Sequence, residues 1–523
     1  MEQFFNKLTE INDAINGFVW VKIGLILLIG TGILMTCMTK FFQVSHIAHW
    51  WKNTIGGAFK KGSGATKKTD KNTISQFQAL CTALAATIGT GNIAGVSAAI
   101  VIGGPGAVFW MWVAAFFGMM TNFSENVLGI FYRRKNEQGE WSGGAMYYLE
   151  YGLGSKKGFK KIGKVLGVVF AIFAILASFG IGNMGQINKI TINIKDVFFP
   201  SVDATVGGIP VVSICIGAVL LVVAALIVIG GLQRIASVAE KIVPFMACLY
   251  VLGALIVICF NIDQVGAMFA SIFKFAFGIE AVGGAVAGIA IKEVITQGCK
   301  RGVFSNEAGL GSSVMVHSSS NVKEPVKQGM WGIFEVFFDT FVVCTMTALV
   351  VLSSGFIDLN TGLAVLGTND ATLVAKAFGA VFGYAGEAFI AIAVLLFAFT
   401  TVLGWSQYGT KAVEYLFGYK GTIVYKVIFV AMIMSGAVMT SSLAWDISDT
   451  FNGLMMIPNL IGVVALSGAV YKITKNYVDR KIKNKNVEPM LSAYPETQAE
   501  QSEALKAEEA EEAQTEKEPV SAE

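Results

Sequence analysis

Ala85-Ala86-Thr87-Ile88-Gly89-Thr90-Gly91-Asn92-Ile93-Ala94-Gly95 sets glycines, hydroxyls and an amide in the middle of apolar sequence. It lies within an apolar run from about Phe77 to Ile102, long enough to cross a bilayer, which takes roughly 20 apolar residues. Its centre is rich in Gly and hydroxyl residues, and each Gly weakens a helix by about 1 kcal/mol. Backbone that leaves the helix at membrane depth must line a polar cavity or be buried in protein. A helix broken at the midplane offers carbonyls to a cation and N–H groups to an anion. An amino acid travelling with a sodium ion presents both charges, so the segment suggests a solute carrier. The alternative is a Gly-rich face for close helix packing. Asn92 argues against it, because an amide in hydrocarbon needs a partner.

The composition agrees with a membrane setting. Of 523 residues, 54% are hydrophobic and 14% charged, where a soluble chain carries about 25% charged residues. The apolar residues come in long blocks, which reads as an all-α, multi-pass membrane protein. Seven cysteines lie mostly in apolar runs without paired spacing, so neither a disulfide framework nor a metal site is expected. His46, His49 and His317 are read as loop residues. His46 and His49 could share a helical face as a metal pair, but interfacial placement beside Trp50 and Trp51 is preferred. The N-terminus has Glu2, Glu10 and Asp13 and lacks a basic region and cleavage site, unlike a cleaved signal peptide.

Eleven spans are expected, at 18–38, 77–102, 105–131, 164–194, 210–230, 238–260, 264–298, 328–353, 385–416, 421–440 and 450–473. The seventh reads as two half-helices, 264–278 and 285–298, separated by Gly278 to Gly284. With that count, the lysine- and arginine-rich loops all fall on one side: Lys40 to Lys71, Arg133 to Lys161, Arg234 and Lys241, Lys300 to Lys327, and Lys472 to Lys485. The opposite loops hold only Lys7, Lys195 and Lys376. The expectation is a plasma-membrane protein with its N-terminus outside and C-terminus in the cytoplasm. Beyond about Asn486 the chain reads as a disordered acidic tail, with a short solvated helix as the alternative. The expected organisation is an N-terminal helix and basic loop (1–75), a first repeat (76–262), a second repeat (263–475) and the tail (476–523).

The repeats follow from symmetry. With the first span set aside, the first and sixth of the remaining ten are both interrupted by Gly near their middles. Five crossings per group make the second group inverted relative to the first, the pattern of inverted-repeat transporters with substrate between the two broken helices. Coincidence is the alternative, since Gly is common in membrane helices.

Gly103-Gly104-Pro105-Gly106-Ala107-Val108-Phe109-Trp110-Met111-Trp112, running on to Phe117-Gly118, resembles the signature of the alanine or glycine:cation symporter family, the sodium:alanine symporters. Arg301-Gly302-Val303-Phe304-Ser305-Asn306-Glu307-Ala308-Gly309-Leu310-Gly311-Ser312 resembles a second hallmark, and Ser142-Gly143-Gly144-Ala145-Met146-Tyr147-Tyr148 fits as well. The resemblance covers roughly residues 10–475. It implies a leucine-transporter-type five-plus-five inverted repeat with one additional N-terminal helix, and sodium-driven uptake of a small neutral amino acid, alanine or glycine.

Resemblance and midplane reasoning agree on Thr87, Gly89, Thr90, Gly91 and Asn92 as substrate-pocket residues. A half-helix N-terminus after Gly91 can supply N–H groups to a carboxylate, and Asn92 can both donate and accept. The second break, around Gly283, Gly284 and Gly288, is expected to offer carbonyls to the ammonium. By resemblance Gln186 reaches the substrate; its alternative is a helix–helix hydrogen bond, and Asn183 shares the ambiguity. In the leucine-transporter fold a sodium site joins hydroxyls to carbonyls of the first broken helix. Here that matches Thr400 and Thr401 with the carbonyls of Ala85 and Ile88. Trp405, one turn beyond Thr401, would wall the pocket. The alternatives are a back-bond to the own helix for each Thr and ordinary packing for Trp405.

Glu125, Glu293, Glu335, Asp339 and Glu387 fall in or near apolar spans, where carboxylates are functional candidates. Glu125 and Glu335 could instead pair with interfacial Lys or Arg, and Lys292 beside Glu293 suggests a gate or a structural ion pair. Ser305-Asn306-Glu307 reads as a cytoplasmic loop capping the pathway. No catalytic residue and no cofactor is expected beyond the co-transported sodium ion. The expected partners are a small neutral amino acid, sodium and the lipid bilayer, with no nucleic acid, and the expected state is a monomer. A channel would need a continuous pore, which paired broken helices disfavour. An embedded enzyme would need a His-containing constellation at the midplane, and no phosphate-binding GxxxxGK[ST] motif is present. Glutamine or D-alanine as substrate, and proton coupling, stay open as alternatives.

Overall fold

The computed structural model of the chain describes residues 2–58, 66, 73–277, 291–365, 372–439 and 443–515. Among the described residues, eight helices are long and apolar enough to cross a membrane, or nine if one bent pair is a single span. The chain is a multi-pass membrane protein. Its first long helix, α1, is Thr9–Met38. It stops where the Thr39 hydroxyl donates to the Met35 carbonyl at 2.7 Å and Lys40 and Phe41 turn left-handed.

Helix α2 (Gln76–Thr87) starts at a reciprocal cap, in which the Ser75 hydroxyl accepts the Gln78 N–H and the Gln78 side chain accepts the Ser75 N–H, both at 3.1 Å. The helix breaks after Thr87 and resumes as α3 (Gly91–Gly103), bent by 53°. Gly104, at φ +72°, lets the chain reverse into α4 (Gly106–Phe131). A short antiparallel ribbon, Arg134–Lys135 with Trp141–Ser142, follows. Then come α5 (Lys160–Phe198), α6 (Val211–Val228) and α7 (Gly231–Phe260).

The next elements are α8 (Val265–Lys274), α9 (Ile291–Asn306) and the single turn α10 (Val314–His317). Helix α11 (Pro325–Ser353) has proline in its first turn, where the missing N–H costs nothing. After α12 (Leu373–Phe382) comes α13 (Tyr384–Val438), two helices in effect because Gly418 sits at φ 73°, ψ 178°. The chain closes with α14 (Leu443–Ala465), α15 (Ser467–Lys481) and α16 (Pro495–Thr515).

Two packing groups result. Helices α9 and α11 lie along α4, whereas α5 and α6 lie along α13. The bent pair bridges them: α2 packs on α7 and α13, and α3 packs on α9. The bend at Ile88–Thr90 therefore sits where the two groups meet. Contact is close at Gly404, where a Cβ would lie 2.6 Å from the Ala86 Cβ and 2.8 Å from its nitrogen.

The structure differs from the sequence reading in three places. Within the expected seventh span, 264–298, residues 278–290 lie outside the described residues, and the helix that follows them runs further than expected. The described helix is α9, which runs through Lys300 and Arg301, two residues read above as loop charges. Lys300 is tolerated there because its ammonium lies 2.9 Å from the Asp449 carboxylate and 3.2 Å from the Asn16 side-chain oxygen. His317 is fully buried in α10 and not in an open loop. The tail after Asn486 carries α16, and its Leu491 and Leu505 are buried. Glycines 283, 284 and 288, the expected second break, lie outside the described residues.

Gly404→Ala is expected to push α13 off α2 and to cost about 1–3 kcal/mol, the usual range for overpacking. Gly468→Ala, in a helix with no atom within 4 Å of the new methyl, is expected to be neutral or stabilising. Thermal unfolding of the two purified variants beside the wild type checks the pair.

Candidate functional site where two broken helices meet

The first break is built from small residues. Ile88 leaves the helix at φ −77°, ψ 88°. The Gly89 N–H would go to the Ala85 carbonyl in an unbroken helix; here it donates to Asn92 Oδ1 at 2.9 Å. One amide thus replaces a lost helical bond and exposes a carbonyl to another partner. Gly91 allows α9 to approach, since a Cβ there would lie 3.1 Å from the Phe304 ring and 3.4 Å from the Ser305 Cα.

Phe304 and Ser305 lie in the last turn of α9. Beyond Asn306 the backbone turns left-handed at Glu307 (φ +56°), Gly309 (φ +93°) and Gly311 (φ +73°). A non-glycine residue in that region costs on the order of 1–3 kcal/mol and persists only where its surroundings hold it. Here they do. Asn306 Oδ1 accepts the Ala308 N–H at 3.0 Å, and the Ser312 hydroxyl donates to Glu307 at 2.6 Å. Ser305, Asn306 and Glu307 are all buried. Their expected place in a cytoplasmic capping loop is therefore corrected: they belong to the protein's interior, against the first break.

Asp339, on α11, joins the two. Its Oδ1 accepts Asn92 Nδ2 at 2.6 Å, and its Oδ2 accepts the hydroxyls of Ser305 at 2.9 Å and Thr340 at 3.0 Å. Asn306 Nδ2 in turn donates to Thr340 Oγ1 at 3.0 Å. Three helical elements thus converge on one carboxylate that is 0% exposed. Among the described residues no Lys or Arg is a hydrogen-bond partner; the partners are neutral donors, an amide, two hydroxyls and, at 3.9 Å, the Cys344 thiol.

The opposite side of the first break faces α5 and α13. The Thr90 hydroxyl donates to Gln186 Oε1 at 3.0 Å, and Gln186 Nε2 donates to the Ile181 carbonyl at 3.1 Å. The Thr401 hydroxyl oxygen would be 2.5 Å from a Cβ on Gly89, which only glycine avoids. Thr401 also back-bonds to the Phe397 carbonyl at 2.9 Å. Trp405 lies across Gly182, where a Cβ would come within 2.5 Å of it, and its ring meets Tyr408 edge-on with centroids 5.2 Å apart. A narrow cleft of about 10 Å³, lined in part by Thr90, Ile93, Lys189, Asn193 and Val374, leads from the first break toward α12.

The structure therefore brings together Gly89, Thr90, Gly91, Asn92, Gln186, Thr401 and Trp405. It treats other sequence candidates differently. The Thr87 hydroxyl returns to the Ala83 carbonyl at 3.3 Å. The Thr400 hydroxyl bonds the Leu396 and Phe397 carbonyls, each at 3.0 Å, and faces Met246 Sδ at 3.5 Å. Asn183 ties α5 to α13 through the Phe429 carbonyl at 2.6 Å. Glu125 and Glu335 do not pair with Lys or Arg. Glu125 takes the Asn459 amide, and Glu335 meets His317 at 3.0 Å and Asn122 at 3.4 Å. Glu293 accepts from Gln297 at 2.7 Å. His46 and His49 turn to separate partners, Ser45 and Tyr477.

Sequence reasoning singled out Asp339 without a role and misplaced Ser305 to Glu307. The usable signal was Asn306-Glu307-Ala308-Gly309-Leu310-Gly311, two glycines and an Asx turn just after a helix. Asp339→Ala is expected to strand the Asn92 amide and two hydroxyls and to cost about 3 kcal/mol or more, at 1–3 kcal/mol per buried unpaired group. Asp339→Asn, which can still accept, is expected to retain most of that stability. Unfolding midpoints of the two variants, measured without substrate, check the difference.

Comparison with known proteins now adds to this geometry. The chain matches the sequence profile of the sodium:alanine symporter family over residues 5–491. It is 44% identical to the sodium/alanine symporter AgcS of Methanococcus maripaludis, over 91% of this chain and 98% of that protein. It is 36% identical to the "Probable sodium/glutamine symporter GlnT" of Bacillus subtilis, over 91% of each. Among solved structures, MhsT in complex with L-phenylalanine superposes with a TM-score of 0.52 at 14% identity, covering 78% of this chain and 99% of MhsT. That likeness is one of fold.

Proposed function

Because the chain belongs to the sodium:alanine symporter family, a family of transporters and not enzymes, we propose that it carries alanine or glycine into the cell with sodium by alternating access. The observation that carries the reading is the meeting of the broken helix with the end of α9 at Gly91 and Ser305, tied together through Asp339. Such a crossing presents free peptide groups of both polarities in a water-poor interior.

In this reading the backbone and hydroxyl groups from Thr87 through Asn92 receive the substrate, with Gln186 beside them. Trp405 limits the size of the substrate side chain. The left-handed turn after α9, from Glu307 to Gly311, offers carbonyls to the ammonium. The carbonyls of Ala85 and Ile88, with hydroxyls of Thr400 and Thr401, hold sodium; the freed Ala85 carbonyl supports this. For Thr400 the ion would have to draw the hydroxyl from its back-bond. The side chains gathered at the crossing are uncharged apart from buried Asp339 and Glu307, which favours a neutral amino acid. AgcS is described as a sodium/alanine symporter, in keeping with alanine.

Eleven spans also fit. Splitting α13 at Gly418 adds one crossing to the nine, and α9 with the break after it supplies another. Ten of these divide into two inverted groups of five, each opening with a broken helix, with α1 outside the repeat. The lysine-rich loops put the C-terminus in the cytoplasm. The boundaries proposed are 76–262 and 263–475. The two packing groups, one around α4 and one around α13, are the bodies that would rock about the bent pair.

Proteoliposome uptake of labelled alanine tests the proposal. An inward sodium gradient is expected to drive accumulation, and glycine to compete better than glutamine or D-alanine. Asn92→Ala is expected to abolish saturable uptake with expression retained. Uptake indifferent to every imposed ion gradient would overturn symport, and a normal Asn92→Ala variant would move the site elsewhere.

A further inference from the structure

Away from the crossing, a cavity of about 780 Å³ opens beside the first turns of α5. Its lining includes Tyr132, Arg134, Tyr151, Lys160, Lys164 and Tyr494. The wall contributed by the C-terminal segment is held in place: the Ala493 N–H donates to the Phe131 carbonyl at 2.9 Å and the Tyr494 hydroxyl to the Tyr132 carbonyl at 3.3 Å.

The Arg134 guanidinium lies 3.8 Å above the Tyr151 ring and 4.5 Å from the Tyr494 ring centre. Stacking uses the faces of the guanidinium, and beyond its contact with the Tyr494 hydroxyl its N–H edges offer donors to a planar or tetrahedral oxyanion. Lys160 and Lys164 are four residues apart, so they share a helical face. Both are exposed, and neither has an ion pair with a described residue. The one acid in the lining, Glu150, accepts the Tyr415 hydroxyl at 2.6 Å. Three cations thus face one occupied carboxylate.

Lys160 is also the first residue of a membrane-crossing helix. Beside it Phe159, Ile162 and Val165 recur at every third position and are 42%, 48% and 59% exposed. A cationic slot therefore borders an apolar stripe at the level where lipid headgroups meet acyl chains. We propose that this cavity binds a phosphate-bearing anion, and that its source is the headgroup of an anionic phospholipid whose chain lies along the Phe159–Val165 stripe. A free anion would have no use for the stripe.

The full chain in a neutral detergent tests this, with the unfolding midpoint read against phosphatidylglycerol, phosphatidylcholine and inorganic phosphate in separate titrations. Phosphatidylglycerol is expected to raise the midpoint by several degrees and phosphatidylcholine to leave it unchanged. The double variant Lys160→Gln with Lys164→Gln is expected to unfold at the wild-type midpoint without lipid and to need about tenfold or more phosphatidylglycerol for the same shift. Equal effects of the two lipids, or an unaltered response of the double variant, would overturn the site. Inorganic phosphate reproducing the shift, and losing it in the double variant, would uphold the phosphate chemistry and overturn the lipid source.

Discussion

The hydrogen bond from Asn92 to Asp339 is the constraint on which the rest of the interior depends. A helix that unwinds inside a membrane protein must find other partners for its peptide groups. Asn92 answers that need twice, accepting the Gly89 N–H with one end and reaching Asp339 with the other. Asp339 then gathers Ser305 and Thr340, and through Thr340 the end of α9. One carboxylate thus fixes the relative position of the broken helix and the end of α9. Without it the first bend would be a weak point; with it the bend is a defined, pre-formed feature.

This arrangement also explains where the glycines fall. At the crossing they keep side chains out of three close approaches: Gly89 against Thr401, Gly91 against Phe304 and Ser305, and Gly182 against Trp405. Gly404 does the same for α13 against α2 one turn away. Close backbone approach is how membrane helices gain contact where no hydrophobic force separates lipid from protein. Stripping bulk from the centre also leaves peptide groups, hydroxyls and amides as the chemistry within reach of a small solute. In a transporter of the sodium:alanine symporter family, that is the chemistry a zwitterion and a hard cation require.

The first break was legible in the sequence because Gly89, Thr90, Gly91 and Asn92 interrupt an otherwise apolar run. The full length of α9 was hidden for a physical reason. Its second half carries Lys300 and Arg301, so by hydropathy it looks like a loop. The structure neutralises Lys300 with Asp449 and turns the helix's small residues, Gly298 and Gly302, onto α4. Hydropathy scores a residue without its partner, and this helix is interior by virtue of its partners. The same blindness concealed the burial of His317, satisfied by Glu335 and Gln328. Which hydroxyls face the first break was also beyond the sequence: Thr400 and Thr401 are adjacent, yet the contacts set Thr401 against Gly89 and Thr400 against Met246.

If amino acid and sodium share one crossing, as proposed, each stabilises the other there. Linkage makes this measurable at equilibrium, because each ligand must raise the other's affinity by the same factor. Alanine binding to the purified protein, measured by calorimetry in sodium and again with sodium replaced by a bulky organic cation, is the direct measurement. The account expects alanine affinity to be at least fivefold higher in sodium, the lower end of typical coupling. Equal alanine affinity in the two media would contradict it.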